Sequence, residues 1–513
     1  MNTNKLLLLL LVFVAGFTAC NKKSSINIDS VASPKGTEIF QPDWDNLAEN
    51  YRFPEWFCDA KFGIFIHWGV FSVPALTNEW YSRYMYMQET PEYKHHVATY
   101  GDQTEFGYKD FIPMLTFSNY DSDQWAQIFK ASGAKYVVPV AEHCDGFAMY
   151  DSELNEWNAV KMGPKKDVLG MLKASVEKEG LVFGLSSHRA ENCWWYNHGT
   201  EFPSDAQDTT ITLYGRRLNS HGAVVEGYFN CGHGEDYNES FAREWYARNQ
   251  ELVNKYQPKL FYFDWTVNHP VLMPYLNKFM AYYYNNALDW NEQVAVNTKH
   301  GYPTNIQVLD MERSMSDKIL EFPWQTCTSI GKKSWGYIDG EENKTPKQIV
   351  HDLIDIVSKN GNLLLNIGPR ANGTITEEQT GILLSIGQWL KINGEGIYGT
   401  RPWKKFGEGE QSEAVGTLTD HNATAYTAQD IRFTTKGNDL YAIVLNWDNA
   451  GVLIKSLDTN TIGDAKILNI QLLGSDEKIE WQQTDQGLKL SFPKTKPCDY
   501  AYTFKISFDK KVG

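Results

Sequence analysis

Lys259-Leu260-Phe261-Tyr262-Phe263-Asp264-Trp265 is a run of apolar, β-prone residues that ends on a carboxylate. A strand without polar alternation is one buried on both faces, as in a parallel sheet. An ionised carboxylate at the end of such a strand is costly unless it is paired. Asp264 is therefore a candidate for chemistry.

Seven further segments could be core strands: 63–66, 136–141, 182–186, 293–296, 305–309, 326–330 and 363–367. Helical patterns lie between several of them. Asp121-Ser122 caps one, with Trp125, Ile128 and Phe129 on a single face. Thr345-Pro346 supplies an N-cap and a Pro at the first helical position, with Ile349, Leu353, Ile356 and Val357 inward. Thr376 and Gln379 resemble a capping box ahead of Ile382, Leu383, Ile386, Trp389 and Leu390. Repeated β–α units of this length predict a (β/α)8-like barrel over 43–404. Beyond Trp403 the pattern changes to strands at 439–447 and 467–473 and a period-two run at 488–492, with turn signals and no convincing helix. This predicts a smaller C-terminal all-β sandwich over 405–513. The stretch 196–237, rich in Gly, Asn and His, reads as a long loop inserted into the barrel.

The N-terminus is a targeting segment rather than fold. Lys5 precedes an apolar run from Leu6 to Val14, and small residues follow up to Cys20. This predicts a signal peptide over 1–20, lipidation of Cys20 and a polar tether over 21–42. The expected location is that of an exported lipoprotein, periplasmic or outer-membrane-anchored, of a Gram-negative bacterium. Its only membrane contact would be the lipid anchor.

Bulk properties narrow the class. At 513 residues, two or three domains are expected. A formal charge of -15 excludes a phosphate-tracking nucleic-acid binder, which needs a basic face. Aromatic content of 14%, with 17 Trp, fits both a large core and stacking against sugars. Cys58, Cys144, Cys193, Cys231, Cys327 and Cys498 are irregularly spaced with no CxxC, so neither a disulfide framework nor a zinc site is indicated.

In a parallel barrel the active site lies at the C-terminal ends of the strands. Six predicted strands end in polar groups: His67-Trp68; Glu142-His143-Cys144-Asp145; Ser187-His188-Arg189-Ala190-Glu191; Asp264-Trp265; Asn297-Thr298-Lys299-His300; and Asp310-Met311-Glu312-Arg313. Each alone reads as a satisfied core group or a solvated loop, but six together point to a site. A metal held by His67, His143 and His188 is one reading, although no HxH or HxxxH pair supports it. Glycoside hydrolysis by paired carboxylates is the other, with Trp68, Trp80, Tyr262 and Trp265 available for stacking.

The chain resembles the retaining α-L-fucosidases of glycoside hydrolase family 29 from roughly Trp56 to Trp403. The resemblance is carried by Phe62-Gly63-Ile64-Phe65-Ile66-His67-Trp68-Gly69 through Ala75, and by Asn78-Glu79-Trp80-Tyr81. Asp145-Gly146-Phe147, the run from Val357 to Pro369 and the run from Asn393 to Trp403 belong to the same pattern. It implies an exo-α-L-fucosidase that releases terminal L-fucose from oligosaccharides or glycoconjugates, with no metal or organic cofactor. It also implies a barrel followed by a β-sandwich, with Asp264 as nucleophile. His67 and His143 would contact fucose hydroxyls, and Glu79 and Trp80 would line the pocket. Lys299 stands near where many members carry a sugar-binding Arg.

Two departures matter. Glu142-His143-Cys144 stands where many members have Lys-His-His, and His188 is placed to fill part of that space. Gln325 follows Trp324 where several members carry the acid/base Glu. The acid/base is then expected among Glu312, Glu321 and Glu79, with Glu312 favoured because it directly follows the sixth strand. Alternative readings are a catalytically impaired carbohydrate-binding lipoprotein and an α-L-glycosidase for a fucose-like sugar such as α-L-galactose.

Overall fold

In the computed structural model, which describes residues 38–215, 237–409 and 426–512, eight parallel strands close into a ring. They are β1 (Phe62–Ile66), β2 (Tyr136–Glu142), β3 (Val182–Ser187), β4 (Leu260–Phe263), β5 (Ala295–Thr298), β6 (Val308–Asp310), β7 (Trp324–Ser329) and β8 (Gly361–Ile367). Closure is direct: Ile64 of β1 registers with Val137 of β2 on one side and Leu365 of β8 on the other. The ring is tight at its base. A Cβ on Gly63 would lie 2.5 Å from the Tyr136 ring, which crosses the interior so that its hydroxyl donates to Gln325 Oε1 (3.0 Å).

All eight expected strands are present. The fifth begins two residues later than expected because Gln293 works at the surface instead, accepting from Trp56 Nε1 through its carbonyl (2.9 Å) and from the Glu55 N–H through Oε1 (3.2 Å). The sixth is only three residues long. Helices form where capping predicts them: Asp121 caps Ser122–Ala131, Thr345 and Gln348 form a reciprocal box on Pro346–Ser358, and Thr376 caps Glu377–Asn393.

After the barrel come two antiparallel sheets. β9 (Arg401–Glu408), β10 (Ile431–Lys436), β11 (Asp439–Val444), β13 (Ile467–Leu472) and β16 (Tyr502–Phe508) make a five-stranded sheet ordered β13-β16-β11-β10-β9. β12 (Val452–Ile454), β14 (Trp481–Thr484) and β15 (Gly487–Leu490) make a three-stranded sheet. Phe433, Leu440 and Phe504 of the first share one apolar core with Ile454 and Leu488 of the second. Among the described residues a 3-10 turn, Lys455–Leu457, and a single-turn helix, Thr459–Ile462, interrupt the expected all-β pattern.

A polar seam joins barrel and sheets. Asp355, on helix Pro346–Ser358, ion-pairs with Lys359 (2.6 Å) and with Arg432 Nε of β10 (2.6 Å), all at 2% side-chain exposure or less. Trp389 Nε1 also donates to the Ala501 carbonyl (2.9 Å).

Two expectations change. Ile39 and Phe40, read as the end of the tether, dock on the barrel: both backbone N–H groups donate to Asn285 Oδ1 (3.0 Å each), and the Phe40 ring packs against Tyr284. The polar surroundings of Phe40 in sequence hide this anchor. Cys193 is disulfide-bonded, with its partner outside the described residues, whereas Cys58, Cys144, Cys327 and Cys498 are free thiols. Pairing depends on proximity in the fold, which irregular spacing does not reveal. The signal peptide, Cys20 and most of the tether also lie outside the described residues, as does the centre of the 196–237 loop.

Candidate active site

A cavity of about 360 Å3 opens at the C-terminal mouth of the barrel. His67, Glu79, Trp80, His143, His188, Tyr262, Asp264 and Glu312 all line it. Strand register places them: His67 follows β1, His143 follows β2, His188 follows β3, and Asp264 is the first residue beyond β4. Lys299 is the first residue beyond β5.

The histidines are individually oriented. Asn366 of β8 donates through Nδ2 to Ser329 Oγ (3.0 Å) and the Trp335 carbonyl (2.7 Å), which fixes its amide. Its Oδ1 therefore accepts from the His67 N–H (3.0 Å) and from Nδ1 (2.7 Å), leaving Nε2 as a lone-pair acceptor. Burial, followed by the charges of His188 and His143, holds His67 neutral; burial, followed by His188, does the same for His143. Neutral imidazoles can pair with hydroxyls at little cost. His188 is committed on both sides, with Nδ1 donating to Asp264 Oδ2 (2.9 Å) and Nε2 meeting Ser186 Oγ (3.1 Å).

His67, His143 and His188 each present a potential ligand atom within 4.8 Å of the others. The metal reading would nevertheless have to break a hydrogen bond at His188, whose two nitrogens are both engaged. The set suits hydroxyl recognition better than three-imidazole ligation.

The carboxylates meet over one cation. Lys299 Nζ lies 3.6 Å from Asp264 Oδ1, 3.1 Å from Glu312 Oε2 and 2.7 Å from Asp310 Oδ2, and it donates to Tyr262 OH (2.5 Å). Burial opposes the charge on Asp264. His188, through its charge and its hydrogen bond, and then Lys299 outweigh that and hold the carboxyl well below the usual carboxylate range. Burial likewise opposes charge on Lys299, but Asp310, Cys327, Glu312 and Asp264 raise it and keep the ammonium protonated. Glu312 also accepts from Trp265 Nε1 (2.5 Å). Three carboxyl groups thus surround a single ammonium, and two of them, Asp264 and Glu312, line the cavity. Tyr262, with 1% exposure, forms part of the floor, its hydroxyl engaged by Lys299 and Asp310.

Glu79 is also buried. Its Oε2 accepts from Trp335 N (2.9 Å), Gly336 N (3.4 Å) and Ser334 Oγ (3.1 Å). Burial pushes its carboxyl above the usual range despite these donors. Glu321 is exposed and does not line the cavity. Gln325 does not line it either: it is fully buried within the barrel, with Nε2 donating to Asp310 Oδ1 (3.0 Å). Trp68 is not a stacking platform. It packs in the core against Phe117, Tyr120 and Trp125, with Nε1 on the Arg370 carbonyl (2.9 Å).

Several lining residues were given no role by the sequence, Trp335 and Glu191 among them. Trp335 sits in the irregular loop after β7, and its ring lies 5.1 Å from that of His67. Glu191 sits on the loop after β3, pinned by Arg189, whose guanidinium pairs with Glu142 (2.6 Å) and Glu244 (3.0 Å) in a fully buried cluster. Cys144 Sγ donates to Glu191 Oε2 (3.3 Å). Burial, then the charge of Asp264, pushes the Glu191 carboxyl up to about 8, so it is a neutral acid near pH 7. Glu191→Gln keeps that neutral shape and is expected to retain kcat/KM within about threefold near pH 7, whereas Glu191→Ala loses more than about tenfold. Because the acid form is lost as pH rises through about 8, the alkaline limb of the wild-type kcat/KM profile should move in Glu191→Gln. Equal losses in both variants with an unmoved limb would refute this role.

A parallel barrel whose mouth holds Asp264 and Glu312 over one ammonium, ringed by imidazoles and Trp, has the make-up of a glycoside hydrolase. The Alpha-L-fucosidase family profile matches residues 28–395, and the Alpha-L-fucosidase C-terminal domain profile matches 424–507. Tissue alpha-L-fucosidase of Mus musculus is 31% identical over 91% of this chain and 94% of its own length. Tissue alpha-L-fucosidase of Homo sapiens is 30% identical over 93% and 94%. The crystal structure of Thermotoga maritima alpha-fucosidase in complex with a mechanism-based inhibitor superposes with a TM-score of 0.71 at 28% identity, covering 91% of this chain and all of that one. The chain belongs to the α-L-fucosidase family, glycoside hydrolase family 29. It is an α-L-fucosidase that acts on fucosylated substrates.

Proposed function

We propose that this α-L-fucosidase is a retaining exo-enzyme with Asp264 as nucleophile and Glu312 as acid/base. The observation that carries the assignment is the Lys299 ammonium, within 3.6 Å of Asp264 and 3.1 Å of Glu312. Asp264 attacks the anomeric carbon as the glycosidic C–O bond breaks, and Glu312 gives its proton to the departing oxygen. The fucosyl ester removes the charge on Asp264, so Lys299 then has one fewer carboxylate to pair. In that state Glu312 takes a proton from water, the water oxygen bonds to the anomeric carbon, and the ester C–O bond breaks. Fucose leaves with its configuration retained, and both carboxyl groups return to their starting forms. No metal or organic cofactor enters the scheme.

His67 and His143 would hold sugar hydroxyls as neutral imidazoles, Glu79 and Trp80 would close the wall, and His188, Tyr262 and Lys299 would hold the carboxylates in place. The test is the stereochemistry of azide products. Asp264→Gly should give the inverted, β-linked azide, and Glu312→Ala the retained, α-linked azide. The same azide isomer from both variants would refute the assignment.

We further propose an exported lipoprotein anchored through Cys20, supported by the basic start, apolar run and small residues of positions 1–20. Cys20→Ala is expected to move the protein from the membrane fraction to the soluble fraction of expressing cells. An unchanged membrane fraction would overturn the anchor.

A further inference from the structure

A second cavity, about 700 Å3, lies beside the catalytic one and is the larger of the two. Trp335 lines both, so one residue is their common wall. The loop that carries it runs outward from β7. Its Lys332 and Lys333 line the catalytic cavity, while Gly336, Tyr337 and Asn343 line the second. The opposite side is built from the segment after β8, with Arg370 and Thr374, and from the start of helix Glu377–Asn393.

The lining selects a chemical class. Glu341, Glu377 and Glu378 outnumber the one cation, Arg370, and Arg370 already lies over the Tyr337 ring at 5.0 Å. An acidic hollow of this kind disfavours phosphate and sulfate groups. Glu341 is spent on its own loop, accepting from Lys333 N (3.1 Å) and Ser334 N (3.0 Å). What remains are two aromatic residues, the planar amides of Asn343 and Gln379, and the hydroxyls of Thr374 and Thr376, each with capacity beyond its one local bond to Asn372 Oδ1 or Gln379 N. Asn343 Oδ1 and Gln379 Oε1 are buried acceptors without a hydrogen-bond partner among the described residues. Rings for C–H faces together with amides and hydroxyls for polar edges suit a neutral, polyhydroxylated ring.

We propose that this cavity is a subsite for the neutral saccharide that carries the fucose, reached over the crest of the loop bearing Trp335. The proposal rests on the α-L-fucosidase assignment and extends it to the part of the glycan beyond fucose. The same loop donates all three hydrogen bonds that hold Glu79: Ser334 Oγ, Trp335 N and Gly336 N. A saccharide seated against it therefore braces a residue of the fucose pocket.

The test compares the full-length protein on an aryl α-L-fucoside, which has no glycan, with a fucosylated neutral tetrasaccharide. Tyr337→Ala removes a ring from the subsite, and Glu378→Trp fills it from an exposed helix position. Each is expected to lower kcat/KM on the tetrasaccharide about tenfold and to leave the aryl fucoside within about twofold. In a parallel arm, saturation-transfer NMR should detect the fucose-free trisaccharide on the wild type and lose it in both variants. Equal losses on both substrates, an unchanged tetrasaccharide rate, or trisaccharide binding that survives both variants would each overturn the proposal. Failure of the wild type on the aryl fucoside would count against the activity instead, and the trisaccharide arm would still report on the cavity.

Discussion

Asp264→Gly is expected to lower kcat on an aryl α-L-fucoside by about ten-thousandfold or more, because the covalent step loses its nucleophile. The physical basis is the state of that carboxylate. It is half-buried at the mouth of β4, and His188 and Lys299 hold it ionised. Removing it leaves the Lys299 ammonium paired with Asp310 at 2.7 Å, so the site stays charge-paired and the protein should fold. The small cleft left by glycine admits azide, which should restore turnover and give the β-linked product. A variant that keeps more than about a tenth of wild-type kcat without azide would end the assignment, since no covalent catalyst tolerates loss of its nucleophile so lightly.

Glu312→Ala is the second large effect, and its signature is dependence on the leaving group. On natural glycans, whose departing alkoxide needs a proton, kcat should fall by about a hundredfold to ten-thousandfold. On an aryl fucoside with a good leaving group, bond cleavage needs little protonation, so the loss should be much smaller in the first step, and the fucosyl-enzyme should accumulate. Azide then attacks without needing a base and gives the α-linked product. The parallel variants Glu321→Ala and Glu79→Ala separate the candidates. Glu321 is exposed and outside the cavity, so its loss should be nearly silent. Full activity of Glu312→Ala on natural glycans would remove Glu312 from the mechanism.

The barrel was readable because its strands carry unbroken apolar runs, with Leu260–Phe263 the clearest. The fifth and seventh were blurred because they carry Asn297-Thr298 and Gln325-Thr326, polar groups that a buried strand tolerates only when tertiary partners satisfy them. Position 325 shows where local alignment reaches its end. Gln325 looks like a lost acid in sequence, but in the barrel it ties Tyr136 to Asp310. Glu191 was visible at a strand end, yet its meaning depends on Cys144 and Asp264, which only the fold brings beside it. Trp335 could not be found from periodicity, since it lies in a loop with none.

The polar seam at Asp355 bears on how the chain divides. Arg432 reaches from the sheets to a carboxylate on a barrel helix, and neither group meets solvent. Stripping one partner from such a pair costs about 3–5 kcal/mol, a large share of the roughly 5–15 kcal/mol that holds a typical domain together. The two architectural halves therefore share a buried ion cluster, Lys359–Asp355–Arg432, across their junction. A gene fragment that ends at the barrel would encode a protein missing half of one of its own buried ion pairs, so the C-terminal sheets are not an appendage that evolution or an engineer can exchange freely.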